Sequence, residues 1–175
     1  MQKSLLVGCG NSRMKKVWLG AEEDWVGELV TLDMNPNCGA GLVLDMGAIV
    51  ECRKGLPFGD EEFDEIAAYD ALEHWGNQGD WRAWFYEMGE YHRILKAGGS
   101  MGIIVPIGAD ALSDPGHIRF FGPNHFYMLN QQWYVDQLEK ALPVTDYRWT
   151  WKRNFEVAHM LNHDGHHLSV MLKKA

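Results

Sequence analysis

Short apolar runs in this chain end, one after another, on glycine or aspartate. Ser4 to Val7 runs into Gly8, Glu28 to Leu32 into Asp33, Gly41 to Leu44 into Asp45, and Phe63 to Tyr69 into Asp70. A further run, Ser100 to Val105, stops at Pro106, which has no N–H to give to a sheet. Such runs, alternating with helical patterns, predict βαβ units and a mostly parallel sheet. Ligands of open α/β sheets bind outside the carboxyl ends of the strands. Repeated aspartates at those ends therefore constrain both fold and site.

The clearest helical pattern is Trp81, Trp84, Phe85, Met88, His92 and Leu95, closed by Gly98-Gly99. A second helix is predicted from Asn124, carrying Phe126, Leu129, Trp133 and Leu138. Val144 to Phe155 and His167 to Leu172 read as strands joined by a loop containing Asn162-His163-Asp164-Gly165. A direct loop between consecutive strands makes an antiparallel pair. The expected fold class is α/β: a doubly wound, mostly parallel seven-stranded sheet with an antiparallel C-terminal edge hairpin, as one domain over residues 1–175.

Composition narrows the function. A hydrophobic fraction of 46% is enough for one core without disulfides or metals. Cys9, Cys38 and Cys52 are odd in number and lack CxxC spacing, which suits reduced thiols in a cytoplasmic protein. The first apolar run is too short for a signal peptide, and no stretch is long enough to span a bilayer, so no membrane role is expected. A net charge of -8 disfavours a broad nucleic-acid footprint, which needs clustered Lys and Arg. A nucleic-acid substrate would have to be held by a local patch or a partner. His159, His163, His166 and His167 fall around the predicted hairpin loop, where they would be solvated, and no metal is expected. Nothing in the sequence bears on oligomeric state.

Gly8-Cys9-Gly10-Asn11-Ser12 lets a backbone approach a ligand closely. Asp33 follows Gly10 by 23 residues, close to the spacing from a glycine turn to a ribose-binding carboxylate. A dinucleotide fingerprint wants a third glycine where this chain has Arg13. A ligand with a ribose and no pyrophosphate fits better.

The chain resembles the class I S-adenosylmethionine (SAM)-dependent methyltransferases, in particular small-molecule enzymes related to those of ubiquinone biosynthesis. Residues 5–12 resemble the glycine-rich first motif and Leu32-Asp33-Met34-Asn35-Pro36 the ribose-binding strand end. Residues 56–64, followed by Asp70-Ala71-Leu72-Glu73-His74, resemble the fourth motif. Residues 94–99, with 103–106, resemble the approach to the fifth strand, and residues 114–121 a loop near the active site. The resemblance implies that Gly8, Cys9, Gly10 and Asn11 face the methionine end of SAM and that Asp33 holds the ribose. It implies that Asp45 accepts from the adenine amino group, Met34 and Met46 lie beside the nucleoside, and Asp70, Ala71 and Leu72 floor the site near the sulfonium. Asp45 could instead cap a following turn. Methyl transfer depends mainly on in-line positioning. His74 and His117, with Asp70, are the candidate catalytic groups, imidazole being the side chain that titrates near neutrality.

The family often carries an acidic residue where this chain has Leu6. That departure supports an alternative, a catalytically silent SAM-fold binding module or scaffold. A nucleotide-linked oxidoreductase is discouraged by Arg13. The residues after the fourth strand, Asp70-Ala71-Leu72-Glu73, lack the Pro-Pro pair of amino-methylating DNA enzymes, and no cysteine follows proline as cytosine C5 enzymes require. A small-molecule acceptor is expected, or a group presented by a larger partner, bound by the loops at 72–80 and 106–124. Trp75 has the best claim among the tryptophans to line that pocket, whereas Trp81 and Trp84 suit the core.

Overall fold

The computed structural model describes residues 1–18 and 21–175. Its strands are β1 (Lys3–Val7), β2 (Lys15–Trp18), β3 (Ala21–Glu23), β4 (Glu28–Asp33), β5 (Leu42–Val43), β6 (Phe63–Tyr69), β7 (Leu95–Pro106), β8 (Phe155–His163) and β9 (His167–Lys174). The helices are α1 (Met46–Cys52), α2 (Trp81–Ile94), α3 (Pro123–Tyr127) and α4 (Gln131–Glu139). Seven strands form one sheet in the order β5-β4-β1-β6-β7-β9-β8. The first five pair in parallel, while β9 lies antiparallel to both β7 and β8. This is the expected α/β sheet with its antiparallel edge.

Alternation along the strands divides the interior. Leu5, Val7, Ile66, Ala68, Met101, Ile103 and Val170 point to one face and join Met46, Trp84, Met88, Tyr91 and Phe126 from α1, α2 and α3 in the larger core. Leu6, Cys9, Cys38 and Ala67 form a smaller cluster on the opposite face, with Trp25, Leu29, Ala40 and Tyr69 against it. No helical residue belongs to that second cluster.

The first crossover departs from the expected βαβ unit. Between β1 and β4 stands the antiparallel pair β2–β3 in place of a helix. Lys15 lies opposite Glu23 and Lys16 opposite Glu22, so charge complementarity across the strands favours the hairpin. Lys15 Nζ also reaches buried Glu65 at 2.8 Å and lies over the Trp25 ring, fastening the hairpin to the sheet.

Other boundaries shift for local reasons. The third strand shrinks to two residues because Asp45 accepts from the Ala48 N–H and caps α1. The helix expected from Asn124 breaks in two, since Asn130 accepts from the Trp133 N–H and starts α4 afresh. α2 ends at Ile94, before the glycine pair, and β7 already begins at Leu95. Residues 144–154 form an irregular segment with a turn at 148–150 rather than a strand, and only Phe155 onward joins the sheet. Their aromatic side chains pack on α2 instead, Tyr147 and Trp151 both against Phe85. Among the described residues no helix is long and apolar enough to cross a membrane.

His92 on α2 meets Phe155 edge-on at 5.1 Å. Burial, reinforced by the Lys174 and Arg153 charges, pulls its pKa down from 6.5 to about 4. Between those values the unfolded chain binds a proton that the folded chain does not, so stability rises with pH across the window. The expected outcome is a urea midpoint that falls from pH 6.5 to pH 4.5 by more in the parent than in His92→Gln. Equal falls would show that the folded protein accepts the imidazolium as readily as water does.

Candidate functional site

The strand order reverses at β1, whose neighbours β4 and β6 lead their loops in opposite directions. That switch point is where open α/β sheets bind ligands. Here the carboxyl ends of β1, β4, β5 and β6 open into a cavity of about 690 Å³, within the range of small-molecule sites.

Of the residues expected at a cofactor site, Gly8, Gly10, Asp33, Met34, Asp45, Met46, Asp70 and Ala71 line this cavity. Gly8 has φ +63°, and a Cβ there would stand 2.6 Å from the Ala71 Cβ. The turn after β1 thus rests directly on the end of β6. Arg13, the residue that spoils the dinucleotide fingerprint, donates to the carbonyls of Gly10, Ser12 and Cys38 and pins that turn. Asp33 accepts from the Gly10 N–H through one carboxylate oxygen and from the Asn35 N–H through the other, both at 2.8 Å. A carboxylate offers about four acceptor positions, so both oxygens can accept further. Asp45 caps α1, the second of the roles the sequence allowed, and it also lines the cavity.

Asp70 is held in the left-handed region at φ +50°, a strained conformation for a residue with a side chain. Lys16 Nζ lies 3.1 Å from one of its oxygens and His167 Nε2 lies 3.3 Å from the other. Three expected residues stand outside the lining. Cys9 is packed in the cluster on the opposite face, where burial pushes its thiol pKa up. Asn11 is exposed beyond the turn, and Leu72 is fully buried in the main core.

His74 and Trp75 also line the cavity. His117 sits behind it, between the lining residues Gly116 and Ile118, and its ring is 4.8 Å from that of His74. Both rings face Glu73, with His74 Nε2 at 4.0 Å and His117 Nε2 at 3.9 Å from one carboxylate oxygen. Glu73 is 1% exposed, no other residue donates a hydrogen bond to its carboxylate, and burial pushes its pKa up to about 7. Of the late histidines, His163 meets Ser169, while His166 and His167 both approach one oxygen of Asp110, at 3.1 and 4.0 Å, and His167 also reaches Asp70.

A buried ion pair holds these pieces in register. Arg119 Nη2 donates to Glu87 on α2 at 2.7 Å, and the guanidinium also donates to the Leu72 carbonyl. Glu87 accepts in addition from Trp75 Nε1 and the Tyr91 hydroxyl. Trp81 and Trp84 border a smaller cavity of about 270 Å³ beside this network, with Tyr147 and His125.

No family model matches the sequence, and no curated protein matches it either. Solved structures do match. One is described as a complex between the Haloferax volcanii Trm112 methyltransferase activator and the putative methyltransferase, at 12% identity and TM-score 0.58, covering 99% of this chain and 82% of that one. A TehB-like SAM-dependent methyltransferase of Corynebacterium glutamicum matches at 13% identity and TM-score 0.56, with 99% and 80% covered. A SAM-dependent methyltransferase of Archaeoglobus fulgidus matches at 14% and 0.54, with 99% and 86% covered. The chain has the class I SAM-dependent methyltransferase fold.

Within this methyltransferase fold, sequence reasoning overlooked Lys16, Glu73, Glu87, Arg119 and the contact of His167 with Asp70. Glu73 carried the strongest signal, an acid three residues after Asp70 and next to His74. The others arrive from distant segments, and no local pattern marks them.

The Arg119–Glu87 pair yields a stability test. Arg119→Met leaves Glu87 buried without its cation and is expected to cost about 3–5 kcal/mol. For a chain of this size, that lowers the melting temperature by roughly 6–20 °C. Adding Glu87→Leu should recover part of the loss, because no lone charge then remains. An Arg119→Met protein that melts with the parent would show that the pair does not hold the fold.

Proposed function

We propose that residues 1–175 form one SAM-dependent methyltransferase domain that transfers a methyl group in line to a small-molecule or partner-presented acceptor. The observation that carries this reading is the cavity at the switch point. Its wall combines the glycine turn after β1 with the strand-end carboxylates Asp33, Asp45 and Asp70.

The residues present suit such a cofactor. Asp33 has acceptor capacity left for ribose hydroxyls after binding two backbone N–H groups. Asp45 stands at the mouth with Met46 buried beside it, an arrangement that suits an adenine amino group and ring. Met34, 65% exposed, forms the rim. The backbone of Gly8 and Gly10 fits the methionine portion, and Asp70 with Ala71 forms the floor. Cys9 and Leu72 contribute as backbone and core rather than as side-chain contacts, and Asn11 lies at the margin. Bound SAM would supply a methyl group on a sulfonium. The chain's part is to orient donor and acceptor, which can account for much of the acceleration. A proton lost by the acceptor would leave on the side where His74 stands, with Glu73 and His117 behind it. Leu6, which favoured a silent scaffold, packs in the second cluster away from the cavity. The free thiols of Cys9, Cys38 and Cys52 suit a reducing cytoplasmic setting.

Calorimetric titration with SAM and with S-adenosylhomocysteine tests the reading. The intact chain is expected to bind both. Asp33→Ala should weaken binding by about 10- to 100-fold, the equivalent of losing charge-assisted hydrogen bonds. A thermal melt of the variant separates lost binding from lost folding. Failure of the intact chain to bind either ligand would sink the proposal, and binding without turnover across an acceptor panel would favour the scaffold.

A further inference from the structure

Two groups of metal-ligating side chains come together among the described residues: Cys9–Asp33–Cys38 and Glu73–His74–His117. In the first, Asp33 already accepts two backbone N–H groups and the Cys38 thiol donates to the Asn35 carbonyl. The second differs. Glu73 is buried, no other residue donates a hydrogen bond to its carboxylate, and two imidazoles face it.

A buried carboxylate short of donors is an expensive arrangement unless something meets it. Arg119, a buried cation, donates through Nε and Nη2 to the Leu72 carbonyl and Glu87; its charge offsets part of the cost at Glu73 but it makes no hydrogen bond to that carboxylate. Asp70 and Asp114 add negative charge around Glu73 rather than relieving it. The histidines are set up as ligands. His117 Nδ1 lies 3.2 Å from the Ala111 carbonyl. When it carries the proton it donates there, leaving the Nε2 lone pair directed at Glu73, and such a hydrogen bond is what orients a metal-binding imidazole. The Ile118 and Arg119 N–H groups both donate to the Glu73 carbonyl and hold the His117 loop against this corner. The ligand atoms all lie within 4.8 Å of one another. Bonds of about 2.0–2.2 Å need them roughly 3–3.5 Å apart, a closure that side-chain rotation can supply.

We propose that Glu73, His74 and His117 bind a divalent transition-metal cation at the wall of the cavity. Two imidazole nitrogens and one carboxylate suit Zn²⁺, Co²⁺, Fe²⁺ or Mn²⁺ better than Ca²⁺ or Mg²⁺. His74 lines the cavity, so the remaining coordination positions open toward the acceptor. Resting on the methyltransferase reading, this assigns the acceptor to hydroxyl-bearing molecules whose oxygen can enter the coordination shell and whose O–H a cation acidifies. The acceptor proton passes to water, an oxygen lone pair forms the new O–CH₃ bond, and the electron pair of the broken S–CH₃ bond stays on sulfur. His74 and His117 then act as ligands rather than as bases.

The test is titration of chelator-treated, tag-free protein with Co²⁺ and with Zn²⁺, followed by visible absorption and calorimetry. One equivalent of Co²⁺ with a visible ligand-field band is expected, weakened at least ~10-fold in Glu73→Gln, His74→Ala and His117→Ala, and unchanged in His163→Ala. His74 is 40% exposed, so its variant keeps the experiment readable where a buried substitution unfolds the chain. No stoichiometric binding, or equal binding by all variants, overturns the site. A parallel titration with SAM separates the two claims. SAM binding without Co²⁺ binding sinks the cation site alone, whereas Co²⁺ binding without SAM binding supports the site and sinks the methyltransferase reading.

Discussion

The Arg119–Glu87 ion pair is the contact through which the cavity's walls are joined. It connects α2, the turn after β6 and the loop at 114–122, three segments that come together only in the fold. Both groups are almost wholly buried. Their Coulomb attraction is therefore set against a heavy desolvation cost, and geometry decides the balance. Here the geometry is favourable, since Glu87 accepts from Arg119, Trp75 and Tyr91 together. Trp75 is thereby fixed as a wall of the cavity, and the loop bearing His117 is laid over Glu73. Arg119 gives its hydrogen bonds to Glu87 and the Leu72 carbonyl, so Glu73 feels its charge without receiving a hydrogen bond from it.

The hairpin between β1 and β4 shapes the other side. A helix starting after the glycine turn would direct its N-terminal partial charge, about half a unit, at the ligand. The hairpin brings a discrete cation instead. Lys16 reaches Asp70 and lies over the Tyr69 ring, while Lys15 reaches Glu65 on the same face. Both partners belong to the β6 region, so the hairpin is attached to the sheet largely by charge, with Trp25 supplying the apolar contact.

What could be read in the sequence was what is encoded locally. Strands such as Phe63–Tyr69 and their aspartate endings follow from runs and breakers in a few neighbouring residues, and all three aspartates do line the cavity. The antiparallel edge followed from a loop too short for a crossover. The errors share a cause too. Val144 to Phe155 looked like a strand because its aromatics are frequent in strands, yet Tyr147 and Trp151 are used to cover Phe85. The first crossover was expected to be part of a βαβ unit from the general alternation of runs, although Lys15-Lys16 and Glu22-Glu23 carry a cross-strand pattern. Cys9 sits in the right turn but on the wrong side of it, because the left-handed Gly8 breaks the strand alternation that puts Leu5 and Val7 on the main face and sends Cys9 to the Leu6 side. Glu87 and Arg119 lie 32 residues apart, and no spacing rule connects them.

The distribution of charge gives the cavity a direction. Asp33, Asp45, Asp70, Glu73 and Asp114 all gather at the carboxyl edge of the sheet, in a chain that is already acidic. Part of that charge is answered internally, by Lys16 at Asp70 and by the Arg119 charge at Glu73. Asp70 holds this position at φ +50°, a conformation that costs of order 1–3 kcal/mol and survives only where the surroundings impose it. Gly8 packed against Ala71 and the ion pair to Lys16 are the contacts that impose it. The strain sets a carboxylate at the centre of an acidic concavity, which lowers the electrostatic cost of bringing a positive centre there. A sulfonium at the floor and a divalent cation beside Glu73 would draw on the same field from neighbouring corners, a field that the Arg119 charge offsets only in part at Glu73.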